Sequence, residues 1–217
     1  MAIAGSEVAT APTLIMLHGL GGSAMDGLSL VKRAGIPDGV RVIAPSAPLR
    51  GPHGGRAWWT FDLDAFDAAK ARGDLDAIAR NVPVGLADSR KRVVDLVTAL
   101  RGSHSGPIVL AGFSQGAMLA ADVALESDMP LSGLVLLSGM IVEENAWQER
   151  SAARRGLRVL VSHGRSDQVI PFAAGERLRS LLESKGLDVR WHPFDGGHRA
   201  QVELIQEAMG WLKGEAR

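Results

Sequence analysis

Apolar positions along this chain gather into short runs separated by longer, mixed segments. Residues 13–17, 41–44, 108–111, 133–137, 158–161 and 188–191 are the strand candidates, most of them rich in Val, Ile and Leu. Short apolar runs suit strands that are covered on both faces, as in a parallel sheet. Between them, residues 87–100, 115–125, 172–185 and 201–212 repeat apolar side chains at helical spacing. Alternating strands and helices predict an α/β architecture: a mostly parallel, doubly wound sheet of about six to seven strands. Nothing in the pattern marks a repeat or linker, so residues 1–217 read as a single domain. The segments between strands are too short for a large cap domain. The longest irregular stretch, residues 45–59, is rich in Pro and Gly, and a charged segment, 62–80, follows it. Loops of that length in compact domains are often functional.

Composition narrows the picture. With 217 residues, 46% of them hydrophobic, the chain can bury one sizeable core. Formal net charge is zero, so no global field draws nucleic acid or an anionic membrane. The local runs Arg90-Lys91-Arg92 and Arg154-Arg155 read as solvated faces. Cysteine is absent, which removes disulfides, thiolate metal sites and a cysteine nucleophile. The first 13 residues lack a positive n-region, since the first Lys or Arg is Lys32. No run approaches the roughly 18 to 20 apolar residues of a membrane span. A cytoplasmic protein with no stable membrane anchor is the expectation. No H-E-x-x-H spacing or full G-x-G-x-x-G occurs, so no metal and no cofactor are expected. The oligomeric state stays open.

The chemistry concentrates in Gly112-Phe113-Ser114-Gln115-Gly116, which follows one predicted strand and opens a predicted helix. That is the layout of a nucleophile elbow, in which two glycines permit a tight turn that projects a serine beyond the sheet. Ser114 is the candidate nucleophile. A serine hydroxyl needs a base to take its proton and an acid to hold that base. In elbow-bearing folds these follow in the order Asp or Glu, then His, which selects Asp167 and His198. Each follows a predicted strand, and loops at the carboxyl ends of parallel strands converge on one edge. His18 and His163 both precede Asp167 and read as structural supports. His192 reads as a packing residue, Asp195 as a turn former, and His53 and His104 as loop residues without a function. The glycine-rich turn His18-Gly19-Leu20-Gly21-Gly22 follows the first buried strand. Backbone N–H groups of Leu20 and Gln115 are the expected oxyanion donors, and Gln115 also opens a helix whose dipole favours negative charge.

Several segments together resemble the phospholipase/carboxylesterase family of α/β-hydrolases, which includes bacterial carboxylesterases and acyl protein thioesterases. They are Leu17-His18-Gly19-Leu20-Gly21-Gly22, Ala44-Pro45-Ser46-Ala47-Pro48, Trp59-Thr60-Phe61-Asp62, the Ser114 pentapeptide, His163-Gly164-Arg165-Ser166-Asp167-Gln168-Val169-Ile170-Pro171 and Gly196-Gly197-His198. The resemblance implies an α/β-hydrolase fold and a serine hydrolase of carboxylic esters or thioesters. It also implies Ser114, Asp167 and His198 as the triad, with Leu20 and Gln115 at the oxyanion hole. Residues 62–84 depart from the family's pattern and read as a local insertion near the acyl site. The lipid-modified cysteine of some acyl protein thioesterases has no counterpart. Trp59, Ile141, Met25, Met118 and Phe172 are candidate substrate-binding walls, with Trp58, Phe61 and Met140 as further apolar candidates. The expected substrate is a small ester with a short to medium acyl chain, cleaved through an acyl-enzyme. The alternatives are an acyl-thioesterase or lysophospholipase with the same triad, and a catalytically silent binding module of the same fold.

Overall fold

The computed structural model of the chain describes residues 1–150 and 154–214. Seven strands make one sheet: β1 (Ala2–Gly5), β2 (Thr13–Leu17), β3 (Arg41–Ala44), β6 (Ile108–Phe113), β7 (Gly133–Leu137), β8 (Arg158–Gly164) and β9 (Asp188–Phe194). Two further strands, β4 (Leu49–Arg50) and β5 (Arg56–Ala57), pair with each other as a separate hairpin. The order across the sheet is β1-β3-β2-β6-β7-β8-β9. β1 runs antiparallel to β3, and every other neighbouring pair is parallel. The helices are α1 (Ala24–Ala34), α2 (Leu63–Ala71), α3 (Leu75–Arg80), α4 (Leu86–Ser103), α5 (Gln115–Glu126), α6 (Glu144–Arg150), α7 (Phe172–Ser184) and α8 (Val202–Leu212).

Alternation along each strand divides the core into two layers, because successive side chains leave a strand on opposite faces. Leu14, Met16, Val109, Ala111, Val135 and Leu137 point to the layer filled by α1 and α8. Ile15, Leu17, Ile108, Leu110, Leu134 and Leu136 point to the layer that includes residues of α4, α5 and α7. All these strand residues are buried, which explains why the runs read as continuously apolar. Each Val, Leu, Ile or Met side chain among them contributes roughly 1.5 to 3 kcal/mol on burial.

All six expected strands are present, and three extend further than expected. β6 reaches Phe113, which pairs with Leu137, while β8 and β9 continue together to Gly164 and Phe194. Neighbouring strands supply ladder partners that local propensity does not reveal. The edge strand β1 was not expected, because the run Ala-Ile-Ala-Gly is short and half of its residues, Ile3 among them, face solvent. Helices α1, α2, α3 and α6 were not expected either. The first three do carry side-chain caps, from Ser23, Asp62 and Asp74. Segment 62–84, read as an insertion, is thus α2 and α3 with a connecting loop.

Helix α5 is anchored from behind by a buried polar cluster. Asp122 is fully buried and accepts a hydrogen bond from Trp147 Nε1 at 3.0 Å, while Arg90 Nε lies 3.0 Å from its other oxygen. Burial pushes the Asp122 carboxyl up to about 7, against the Trp147 hydrogen bond and the Arg90 charge, with Glu143 and Glu126 adding to the rise.

Candidate active site

At the end of β6 the chain turns through Ser114 at φ 53° and ψ −121° and enters α5 directly. A non-glycine residue in that region stores about 1 to 3 kcal/mol of strain. The surroundings hold it there: Ser114 N–H donates to Leu137 O at 2.9 Å, and its carbonyl accepts from Ala117 N at 2.8 Å and Met118 N at 3.1 Å. Both glycines are required by close approach. A Cβ on Gly112 would lie 2.1 Å from Gly116 O, and one on Gly116 would lie 2.3 Å from Leu17 O. Strand, turn and helix therefore meet at a spacing that no larger residue permits.

The carboxyl ends of β8 and β9 bring Asp167 and His198 to this serine. Ser114 Oγ is 3.0 Å from His198 Nε2, and His198 Nδ1 is 2.7 Å from Asp167 Oδ2. A carboxylate facing Nδ1 fixes the proton there and leaves the Nε2 lone pair directed at the hydroxyl. The other oxygen, Oδ1, accepts from Val169 N at 2.8 Å and Ile170 N at 2.9 Å. Burial alone would raise the Asp167 pKa. Hydrogen bonds from His163, His198 and the Ile170 N–H, with the charge on His198, outweigh it and hold the carboxyl well below the usual carboxylate range. His163 Nε2 donates to Ile170 O at 2.9 Å and lies 3.4 Å from Asp167 Oδ2, so it braces the loop that presents Asp167.

The glycine-rich turn after β2 lies against the elbow. A Cβ on Gly19 would stand 3.3 Å from the Cβ of Ser114. Leu20 follows at once, and Gln115 N–H sits at the first position of α5, where a helix leaves its amides without internal acceptors. His18 holds the turn. Its Nε2 accepts from Ala47 N at 3.1 Å, so its Nδ1 carries the proton donated to Gly19 O at 2.8 Å. Burial keeps this imidazole below its ordinary pKa, against the Gly19 hydrogen bond and the Asp26 charge. The β4–β5 hairpin docks onto the same turn: Gly21 N donates to Arg56 O and Arg56 N to Gly22 O, both at 2.9 Å.

Two supports in this region carried no sequence signal beyond polarity beside a glycine-rich turn. The Gln115 side chain clamps the hairpin exit, accepting from Trp58 N at 2.9 Å and donating to Trp59 O at 3.1 Å. Arg56 ties Ala47 O and Pro48 O at 2.8 and 2.9 Å.

A cleft of about 390 Å³ opens at Ser114, lined on its apolar side by Phe61, Leu63, Phe66, Met118, Val169 and Ile170. Behind it lies a second cavity of about 300 Å³ that includes Trp59, Ile78, Met140 and Val142. Phe61 and Phe66 line both, as an edge-on pair with centroids 5.3 Å apart. Of the expected walls, Met118 lies in the first cavity and Trp59 in the second.

Three expected walls are placed elsewhere. Met25 is 58% exposed on the first turn of α1, outside the cleft, because α1 leads away from the glycine turn on the other side of the sheet. Ile141 is buried in the core, while its neighbours Met140 and Val142 face the rear cavity. Phe172 opens α7 and stacks between His163 and Trp191, at centroid distances of 6.2 and 5.8 Å. Trp58 is likewise structural, donating from Nε1 to His18 O at 2.8 Å. Leu63, Phe66 and Ile78 were missed because they lie in α2 and α3, whose charged sequence hides a few apolar positions. Among the described residues no cluster of His, Asp and Glu is placed to hold a metal ion, and no helix is long and apolar enough to cross a membrane.

A mostly parallel sheet flanked by helices, with a strained serine between β6 and α5 and no large cap among the described residues, defines an α/β-hydrolase fold. A model of the phospholipase/carboxylesterase family matches residues 1–214, and the chain belongs to that family. It is 30% identical to acyl-protein thioesterase 1 of Gibberella zeae over 220 residues, covering 93% of this chain and 89% of the relative. Mouse lysophospholipase-like protein 1 is 25% identical over 213 residues, covering 92% and 85% of the two chains. Among solved structures, esterase PE8 aligns with a TM-score of 0.71 at 28% identity, over 99% of this chain and 98% of that one.

Proposed function

We propose that the chain is a serine carboxylesterase that hydrolyses short- to medium-chain carboxylic esters through an acyl-enzyme on Ser114. The observation that carries this reading is the continuous hydrogen-bonded chain from Ser114 Oγ through His198 to Asp167, at 3.0 and 2.7 Å. His198 Nε2 takes the hydroxyl proton as Oγ attacks the carbonyl carbon. The C=O electron pair moves to oxygen, and the oxyanion accepts hydrogen bonds donated by Leu20 N–H and Gln115 N–H. Each such donor contributes about 3 to 4 kcal/mol to transition-state stabilisation. The oxyanion then collapses, the bond to the leaving atom breaks, and His198 returns its proton to that atom. Water, deprotonated by the same histidine, attacks the acyl-enzyme, and collapse of the second oxyanion releases the acid and restores Ser114.

The size of the front cleft supports the chain-length assignment. About 390 Å³ is at the lower end for small-molecule sites, and the Phe61–Phe66 pair limits its depth. Thioester hydrolysis is the second reading, favoured by relatives named acyl-protein thioesterase, and it uses the same atoms with sulfur as the leaving atom. The test is turnover of p-nitrophenyl esters from acetyl to palmitoyl, with Ser114→Ala alongside. The proposal expects an optimum at short to medium chains and background rates in the variant. A palmitoyl optimum overturns the chain-length assignment. Silence toward all esters, with turnover of the matching thioesters, transfers the assignment to the second reading. Silence toward both points to a binding module.

A further inference from the structure

A separate hollow of about 360 Å³ adjoins the site, running from the glycine turn along α1, whereas the acyl cleft at Ser114 runs toward α2. It shares Gly19, Leu20, Phe113 and His198 with that cleft, but it contains neither Ser114 nor Gln115. The two lining sets therefore meet along these four residues, His198 among them. In acyl transfer that histidine hands its proton to the departing atom, so the alcohol or thiol projects on the His198 side. The acyl chain takes the side that holds Ser114, Gln115 and the apolar walls.

The second hollow has a different chemistry. Its lining includes Arg33 and Arg199 with a single carboxylate, Asp26. Asp26 accepts the Ser23 hydroxyl at 2.7 Å and sits in the first turn of α1, where the helix dipole favours its charge. The arginines are less occupied. Arg33 has no ion-pair partner among the described residues. Arg199 makes one long hydrogen bond, 3.4 Å to Asp195 O, and lies over the Phe194 ring at 5.1 Å. The Asp195 carboxylate itself faces Arg165 at 3.7 Å. Guanidinium groups present planar pairs of N–H donors that match carboxylate and phosphate oxygens.

Their positions grade the site. Arg199 directly follows His198 and is the near contact. Asp26, Leu30 and Arg33 share one face of α1, and Arg33 lies about 10 Å further along the helix axis than Asp26. Because α1 returns from the active edge toward β3, Arg33 is the outer contact.

We infer that this hollow is the leaving-group subsite and that it selects alcohols or thiols bearing an anionic group, a carboxylate or a phosphate. Arg199 reads an anion close to the scissile bond, and Arg33 reads one further away. The assignment rests on the serine-hydrolase reading given above and adds the chemical class of the released fragment.

The experiment compares kcat/KM for two esters of one acyl group and near-identical shape, 4-butyryloxybenzoate and 4-butyryloxybenzamide, with 4-butyryloxyphenyl phosphate as a third. The wild type is expected to favour at least one anionic ester over the amide by about fivefold to tenfold, with the advantage shrinking as salt rises. Which anion is preferred distinguishes carboxylate from phosphate recognition. Arg199→Gln is expected to bring the ratio of anion to amide toward one, and Arg33→Gln to lower it less. A merely structural role for either arginine would slow all three esters alike and leave the ratio unchanged. Equal handling of all three esters by the wild type overturns the inference, as does a preference that survives in the double variant. If no ester turns over above the Ser114→Ala background, the hydrolase reading itself fails and takes the inference with it.

Discussion

The elbow with its glycine turn and the α2–α3 segment face each other across one cleft, yet they are built by opposite means. In the elbow, backbone meets backbone: the Gly112 and Gly116 positions have no room for a Cβ, and Ser114 is held at a positive φ by three main-chain hydrogen bonds. In α2 and α3, charged helices start from aspartate caps and bury only Phe66, Ala69, Ile78 and Ala79. The first arrangement fixes atoms to within the tolerance that chemistry needs. The second leaves a wall that few side chains determine, and such a wall can change without disturbing the serine. On the proposed function, chemistry and chain-length selection thus sit on structurally separable parts.

That separation can be broken most severely at the acid. Asp167→Asn removes the carboxylate that fixes the His198 tautomer, and kcat is expected to fall roughly 10,000-fold at every acyl length alike. A change confined to one chain length would show that the acid acts on substrate fit instead. Gly116→Ala comes next. Its added methyl must displace Leu17 O, so thermal unfolding is expected to show a loss of about 3 kcal/mol or more. A melting temperature within a degree or two of wild type would mean that the elbow is not sterically fixed.

Phe66→Ala tests the other side. Removing this ring opens the front cleft toward the rear cavity, so the p-nitrophenyl ester optimum is expected to move to longer chains with only a few-fold change at the old optimum. An unshifted optimum would contradict the role given to α2.

The smallest expected effect concerns the support behind α5. Asp122 takes up a proton near pH 7 in the folded chain and near its ordinary, lower value when unfolded, so the folded state binds more protons between those limits. Its contribution to stability is full at low pH and declines as pH rises toward and through 7. Asp122→Asn keeps an acceptor for Trp147 but cannot titrate. From pH 5 to 8 the melting temperature of the variant should therefore fall less, or rise more, than that of wild type. Parallel curves would show that Asp122 does not titrate in this window.

The same contrast explains what the sequence disclosed. Buried parallel strands are apolar throughout, so residues 13–17, 108–111 and 133–137 stood out from their neighbours. Gly-x-Ser-x-Gly between a strand and a helix is a backbone requirement written directly in residue types. Asp167 and His198 could be chosen because chain order and strand ends limit which acid and base can reach Ser114, and the structure brings all three together. Wall residues obey no such rule. Met25, Ile141 and Phe172 were selected for being apolar and close to the right loops, but whether a side chain lines a cleft depends on which face of its element turns inward. The charged α2 and α3 concealed Leu63 and Phe66, and the Gln115 clamp onto Trp58 and Trp59 joins residues more than fifty positions apart.

Treatment of the protein with a p-nitrophenyl alkylphosphonate, with the modification located by peptide mass spectrometry, tests the proposed role of Ser114 most directly. Release of nitrophenol, loss of esterase activity and a phosphonyl group on the peptide carrying Ser114 are expected, with no labelling of Ser114→Ala. An active, unlabelled protein, or a label on another residue, would contradict that role.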